Sequence, residues 1–427
     1  FRGPIYCSHP TEELCSVMLP DSGHIQESEI ERKNRKLKRS GKELLEPIYT
    51  AQDATDCLSQ FRSLNTDEII KLSPGIEMRL RTAGHILGAS IVEIWIEEDG
   101  QKNKMVFSGD LGNINQPIIK DPATIESADF VVVESTYGNR LHDDLPSRAD
   151  ELLEVVNETM QKGGNLIIPA FAVERTQDLL YDLVQLGYEK KLDPVIDIYI
   201  DSPLAISATE IFLNHRDAYD DITRSFFKDK DPLQYINLKY SRSMEESMEL
   251  NKVRNKAIII SASGMCEAGR IKHHLKHNLW RPESTILFVG YQAAGTLGRR
   301  ILDGEEVVTI HGEKIAVKAN IRHIDAYSAH ADKNGLLEWL KSFVVKPRGV
   351  FIVHGEEEAQ LEFAGAIQQE LNMPVYIPEW QQEFELTALE EALPRYVYSG
   401  ADISQVMQAE QMYLQVCLKL NDMFREN

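Results

Sequence analysis

The sequence predicts an α/β chain built on mainly parallel sheet. Three observations carry this. Short, wholly apolar runs end on chemically active residues, as in Gly349-Val-Phe-Ile-Val-His354-Gly355 and Asp129-Phe-Val-Val-Val-Glu134; such runs are strands buried on both faces, and the carboxyl ends of parallel strands are where α/β sheets place ligand-binding residues. From about 140 to 325, strand and helix patterns alternate, the signature of parallel sheet with crossover helices. The 427 residues, 43% of them apolar, exceed one core and fill two.

Composition narrows the function. No window approaches 18 uninterrupted apolar residues, and the opening Phe1-Arg-Gly-Pro-Ile has neither region of an export signal, so no membrane and a cytoplasmic setting are expected. Cys7, Cys15, Cys57, Cys266 and Cys417 show no paired spacing and read as reduced thiols. A net charge of -21 repels polyanions, so any nucleic-acid chemistry must rest on a local basic cleft. The non-Met start on a strand-like Gly3-Pro-Ile-Tyr-Cys suggests that sequence upstream of Phe1 is missing.

Taken in order, residues 26–45 mix both charges and read as an exposed helix ending near Gly41. A solvated face is the blander account of it, an RNA-contacting run the sharper one. Residues 76–98 and 103–108 alternate apolar and polar around Glu98-Asp-Gly100, a hairpin pattern. Gly84-His85-Ile-Leu-Gly88 and Ser108-Gly109-Asp110-Leu-Gly112 set ligand-type side chains beside glycines at strand ends, although Asp110 alone also suits an ordinary turn. Glu134, at the tip of a buried strand, needs a cationic, histidine or metal-linked partner.

In the alternating region, helices are expected over 147–160, 175–186 and much of 207–250, with strands at 163–169, 195–200, 257–261 and 285–290. Two glycine-rich loops, 261–270 and 290–300, lack the Walker and dinucleotide spacings. They are either tight turns or helix starts whose backbone N–H groups and trailing arginines hold phosphate. Asp325-Ala-Tyr-Ser328-Ala-His330-Ala-Asp332 precedes a helical pattern, so His330 falls at a loop-to-helix turn. Residues 404–424 have loosely helical apolar spacing and read as an amphipathic helix packed on the body or, as a homodimer contact, on a second copy.

Five ordered stretches resemble the metallo-β-lactamase superfamily, β-CASP family of RNA-processing nucleases, similar to the nuclease subunit of the pre-mRNA 3′-end cleavage factor. They are Gly84-His85-Ile-Leu-Gly-Ala, Ser108-Gly109-Asp110, Glu134-Ser-Thr-Tyr-Gly, Ser328-Ala-His330-Ala-Asp and Val353-His354-Gly355-Glu. The resemblance covers residues 1 to about 386. It implies a metallo-β-lactamase αββα sandwich split in sequence (1–139 and 326–386) around a β-CASP α/β domain (140–325) of mainly parallel sheet, with a helical extension at 387–427. It further implies two Zn(2+) ions, His85 on one, His354 on the other and Asp110 between them. Glu134 would orient His330 as the acid for the leaving oxygen, and Ser263, Gly264, Ser328 and Arg175 would contact phosphate or RNA. The implied activity is cleavage of single-stranded RNA, endonucleolytic with a 5′-exonuclease component.

One departure matters. The family's His-x-His-x-Asp-His run, which supplies four ligands, occurs nowhere in the 427 residues; Ser8-His9-Pro-Thr is not it. With His85, Asp110 and His354 alone the chain is expected to hold two metals weakly and to be catalytically crippled. A catalytically inactive RNA-binding scaffold and a small-ester metallohydrolase are the alternatives.

Overall fold

Residues 1–142, 148–228 and 231–386 are described in the computed structural model; the expected helix at 404–424 lies outside them. The chain opens with β1 (Ile5–Ser8), the long α1 (His9–Arg39), α2 (Ala51–Cys57) and β2 (Phe61–Leu64). There follow β3 (Ile69–Ser73), β4 (Ile76–Thr82), β5 (Ser90–Glu98), β6 (Gln101–Phe107) and β7 (Phe130–Val133). Next come α3 (Arg148–Lys162), β8 (Leu166–Pro169), α4 (Arg175–Tyr188), β9 (Asp197–Ile200), α5 (Pro203–Asn214), α6 (Asp221–Phe226), β10 (Asn237–Tyr240), α7 (Met244–Leu250), β11 (Ala257–Ser261), α8 (Ile271–Asn278), β12 (Thr285–Phe288) and α9 (Leu297–Leu302). The hairpin β13 (Val307–Ile310) and β14 (Glu313–Ala316) leads to β15 (Asn320–His323), α10 (Lys333–Lys341), β16 (Gly349–Ile352), α11 (Glu357–Ala366) and β17 (Val375–Tyr376).

These strands build two large sheets, a mixed seven-stranded one ordered β17-β16-β7-β6-β5-β4-β3 and a six-stranded one ordered β10-β9-β11-β8-β12-β15. Every pairing in the second is parallel. Its strands are buried on both faces because successive residues point opposite ways: Ile258 and Ile260 join Leu179 and Leu183 of α4 in one core, while Ile259 joins Ile271 and Leu275 of α8 in the other. That two-sided burial explains the unbroken apolar runs read in the sequence. In the seven-stranded sheet, Val131, Val133, Val350 and Ile352 pack with Leu336 and Leu340 of α10 and Phe363 of α11.

Several expected elements differ. The helix expected over 26–45 begins at His9 instead, because Ser8 caps it and Pro10 occupies its first turn, where a missing N–H costs nothing. Pro20 and Gly23 lie inside it; a Cβ at Gly23 would meet the backbone of Thr50 and Ala51, so the glycine lets α2 approach. The hairpin around Glu98-Asp-Gly100 is present as β5 and β6, but its expected first strand, 76–98, is two strands, β4 and β5, separated by the loop that carries His85. Within 207–250, β10 was hidden because it is an edge strand with alternate residues exposed and no apolar run. Among the described residues no helix is long and apolar enough to cross a membrane, and Cys7, Cys15, Cys57 and Cys266 are free thiols.

A buried ionic knot ties α3 and α4 to the segment that leads back from β15. Arg148, 4% exposed, grips Asp182, 3% exposed, through two hydrogen bonds of 2.8 Å. The hydroxyl of the fully buried Tyr327 donates to the same carboxylate at 2.7 Å. Removing one member strands a buried charge. Arg148→Ala should therefore lower unfolding free energy by about 3–5 kcal/mol in urea denaturation, whereas Arg148→Leu combined with Asp182→Leu should recover most of it; a loss below about 1 kcal/mol for the single change would mean that the pair is not a structural tie.

Candidate metal centre and cleft

β4, β6, β7 and β16 all point the same way, since β4 is related to β6 through two antiparallel steps and β6, β7 and β16 are parallel neighbours. Their carboxyl ends therefore lie side by side, and the residues just beyond them are His85, Asp110, Glu134 and His354. Asp110 is central: its Oδ1 lies 2.8 Å from His354 Nδ1 and its Oδ2 3.9 Å from His85 Nε2. The ligand atoms of His85, Asp110 and His330 lie within 4.8 Å of one another, as do those of Asp110, Glu134 and His354.

Backbone contacts fix this convergence. Gly112 N–H donates to Ala83 O at 2.8 Å, and a Cβ at Gly112 would overlap the Gly84 carbonyl, so only glycine lets the two ligand loops touch. Gly355 lies against Ser135 in the same way, while Ser135 N–H donates to His354 O at 3.0 Å. His354 takes φ +48° to make the turn.

His330 reaches the site from the other direction. Its segment is zipped to the Asp110 loop by Ala331 N–H to Leu111 O at 2.8 Å and Asn113 N–H to Ala329 O at 3.1 Å. Its Nδ1 lies 3.0 and 3.2 Å from the two oxygens of Glu134, which is 1% exposed and also accepts from Leu111 N–H. Burial disfavours the charged form of His330, but the hydrogen bond and charge of Glu134 outweigh it, and the pKa is raised above that of an ordinary histidine. Burial likewise opposes ionised Glu134, and His330 reverses this, so the carboxyl is held below the usual range. His85 behaves oppositely. Burial, aided by the neighbouring His330, pushes it down to about 4, which leaves a neutral imidazole with a lone pair for a metal.

The donor set of two imidazoles and an intervening carboxylate fits zinc chemistry. His85 with Asp110, and Asp110 with His354, are the pairs that would hold zinc there.

Above these residues opens a cleft of about 750 Å³ between the two sheets. Ser328, Arg175 and Ser263 line it, together with His85 and His330. Arg175 is 91% buried, donates to Asp178 at 3.0 Å and leaves its Nε without a partner among the described residues. The Ser263 hydroxyl is engaged with Ala268 of its own loop, at 3.2 Å to the carbonyl and 3.3 Å to the amide. Gly264 is set apart: it packs against the Phe171 ring and is not among the lining residues.

Sequence reasoning missed several contributors. Met18, Asp21 and Ile25 of α1 line the cleft. Glu174, fully enclosed and held at φ +66°, accepts from Leu87 N–H at 3.0 Å and so joins the start of α4 to the loop that carries His85. Burial, with Asp178 beside it, raises its pKa well above the carboxylate range. His142, whose Nε2 lies 2.8 Å from His330 O, belongs to no apolar pattern and gave no signal.

A family model of the Beta-Casp domain matches residues 176–301, and one described as the Zn-dependent metallo-hydrolase RNA specificity domain matches residues 314–378. Among curated relatives, a ribonuclease of Thermus thermophilus is 33% identical over 362 residues, covering 84% of this chain and 77% of the relative. An RNase J-like protein of Methanocaldococcus jannaschii is 29% identical over 379 residues, covering 88% and 81%. The transcription termination factor FttA of the same organism is 29% identical over 391 residues, covering 88% of this chain and 58% of that longer protein. With the split sheet, the inserted parallel domain and these matches in place, the chain belongs to the β-CASP family of metallo-β-lactamase-fold RNA nucleases.

Proposed function

We propose that this chain is a metal-dependent ribonuclease that hydrolyses phosphodiester bonds of single-stranded RNA in the cleft, endonucleolytically and with a 5′-exonuclease component. The observation that carries the reading is Asp110 lying between His85 and His354, beside the His330–Glu134 pair. Relatives named as ribonucleases support RNA as the substrate class.

His85 and Asp110 would hold one zinc, Asp110 and His354 the other. Zinc bound there supplies an activated water and neutralises charge on the phosphodiester. The chain's own groups do the rest. Glu134 fixes His330 through Nδ1, leaving Nε2 to hand a proton to the leaving ribose oxygen. Arg175 and Ser328 line the cleft where the phosphate is oriented, and the Ser263 loop with Gly264 behind it shapes the wall. A second reading is an RNA-binding scaffold without turnover, which measured zinc content and cleavage distinguish.

Asp110→Ala should abolish cleavage and bound zinc together, because one carboxylate offsets charge on both ions. Elemental analysis showing zinc unchanged would remove Asp110 from the ligand set.

His330→Ala should cut kcat by about 10²- to 10⁴-fold while zinc is retained, with a much smaller defect on a nitrophenyl phosphodiester whose leaving group needs no proton. Equal impairment on both substrates would exclude the acid role.

The acid must be protonated, so activity should fall as pH rises through the raised pKa of His330. Glu134→Gln removes the charge that raises it and should move this alkaline limb to lower pH; a limb that stays in place would assign it to another group.

A further inference from the structure

Residues 32–42 read RKNRKLKRSGK, seven lysines and arginines with no acid, in a chain whose net charge is -21. Two of the seven are ion-paired, Lys33 with Glu29 at 3.9 Å and Arg35 with Glu31 at 2.7 Å. The remaining five are exposed and make no ion pair among the described residues. Arg32, Lys36 and Arg39 follow one another at the spacings that stack like charges on a helix, which is unfavourable without an anion. The helix macrodipole welcomes cations in the last turn, but it does not account for Arg32 or Lys42.

This end of the chain is held in place. Asn34 clasps Leu45 through two reciprocal hydrogen bonds of 2.8 Å, and Lys42 N–H donates to Leu37 O at 3.1 Å, folding the last cation back beside the helix. The same helix supplies Met18, Asp21 and Ile25 to the cleft wall, and the basic residues from Arg32 to Arg39 lie about 10–21 Å further along its axis.

The opposite wall continues likewise. Ala268, Gly269 and Arg270, which line the cleft, run straight into α8, and there His273 and His311 stack with ring centroids 4.6 Å apart, both exposed. Burial, then a neighbouring histidine, then the nearby lysines push both imidazoles down, and Arg32 of α1 adds a smaller push on His311. The stacked rings of His273 and His311 lie beside Lys272 on this face, with Arg32 of the α1 end near enough to act on His311. Phosphate-binding charge interleaved with stacking rings is how single strands are held without sequence preference.

We propose that the basic end of α1, with the Lys272, His273 and His311 face, is a binding track for the backbone of single-stranded RNA outside the cleft, so that long substrates are gripped beyond the cleavage point. The proposal rests on the cleft being an RNA site.

The test compares wild-type protein with Lys36→Gln, Lys38→Gln, Arg39→Gln and Lys42→Gln combined, using polyuridylate of two lengths, one confined to the cleft and one long enough to leave it. For the long strand the variant's Kd should rise roughly 10-fold or more at low salt, and the slope of log affinity against log salt should shrink by about 3, at roughly 0.7 per lost phosphate contact. Binding and cleavage of the short strand should not change. A variant that binds the long strand with unaltered affinity and slope overturns the track while leaving the cleft reading intact; wild type that binds neither length overturns both. Loss of binding to phosphatidylserine vesicles with RNA binding unchanged would assign the run to a membrane surface and overturn it too.

Discussion

A carboxylate excluded from water must have its charge answered, and Glu134 is such a group: at 1% exposure it sits on the end of a strand whose other residues are apolar. Its partners are the Leu111 and Thr136 amides and the His330 imidazole. Each belongs to a different loop, so satisfying one buried acid aligns the segment after β6, the segment after β7 and the segment before α10. The position of Asp110 follows, because it precedes Leu111, and so does that of His85, whose loop is pinned to Gly112. The geometry of the centre is in this sense a by-product of desolvation.

The cleft depends on a second set of buried contacts. Tyr327 lies three residues before His330 and spends its hydroxyl on Asp182 in α4; Glu174, at the start of the same helix, spends a carboxyl oxygen on Leu87, two residues after His85. One helix of the inserted domain thereby touches both the segment that carries His330 and the loop that carries His85. Movement of α4 would be felt at both places.

Much of the centre was legible in the sequence because strand ends announce themselves: an apolar run that stops at His354-Gly355 or Glu134 shows which residue emerges from the core. The need of Glu134 for a partner was also readable, and the structure brings His330 to it. Pattern could not say what a buried face packs against. A helix from residue 175 was recognisable, whereas nothing in the pattern showed that the fold would enclose Arg148, Asp182 and Glu174. The placement of Gly264 behind Phe171 depends on how one loop leans on another, which spacing does not encode. Pro20 and Gly23 concealed the length of α1 for the same reason, as their use is tertiary.

The β7–β16 pairing joins Phe130 to Gly349, with the whole inserted domain between them. A ribosome delivers β7 long before its neighbour exists, and during that interval the strand's outer edge, Val131 to Val133, has no partner on that side. Loop closure over such a distance is slow and entropically costly unless the intervening chain has already condensed. The inserted domain, once folded, acts as a short rigid connector that brings β16 to β7. Order of synthesis thus becomes order of assembly, and the catalytic floor is laid only after the roof that covers it.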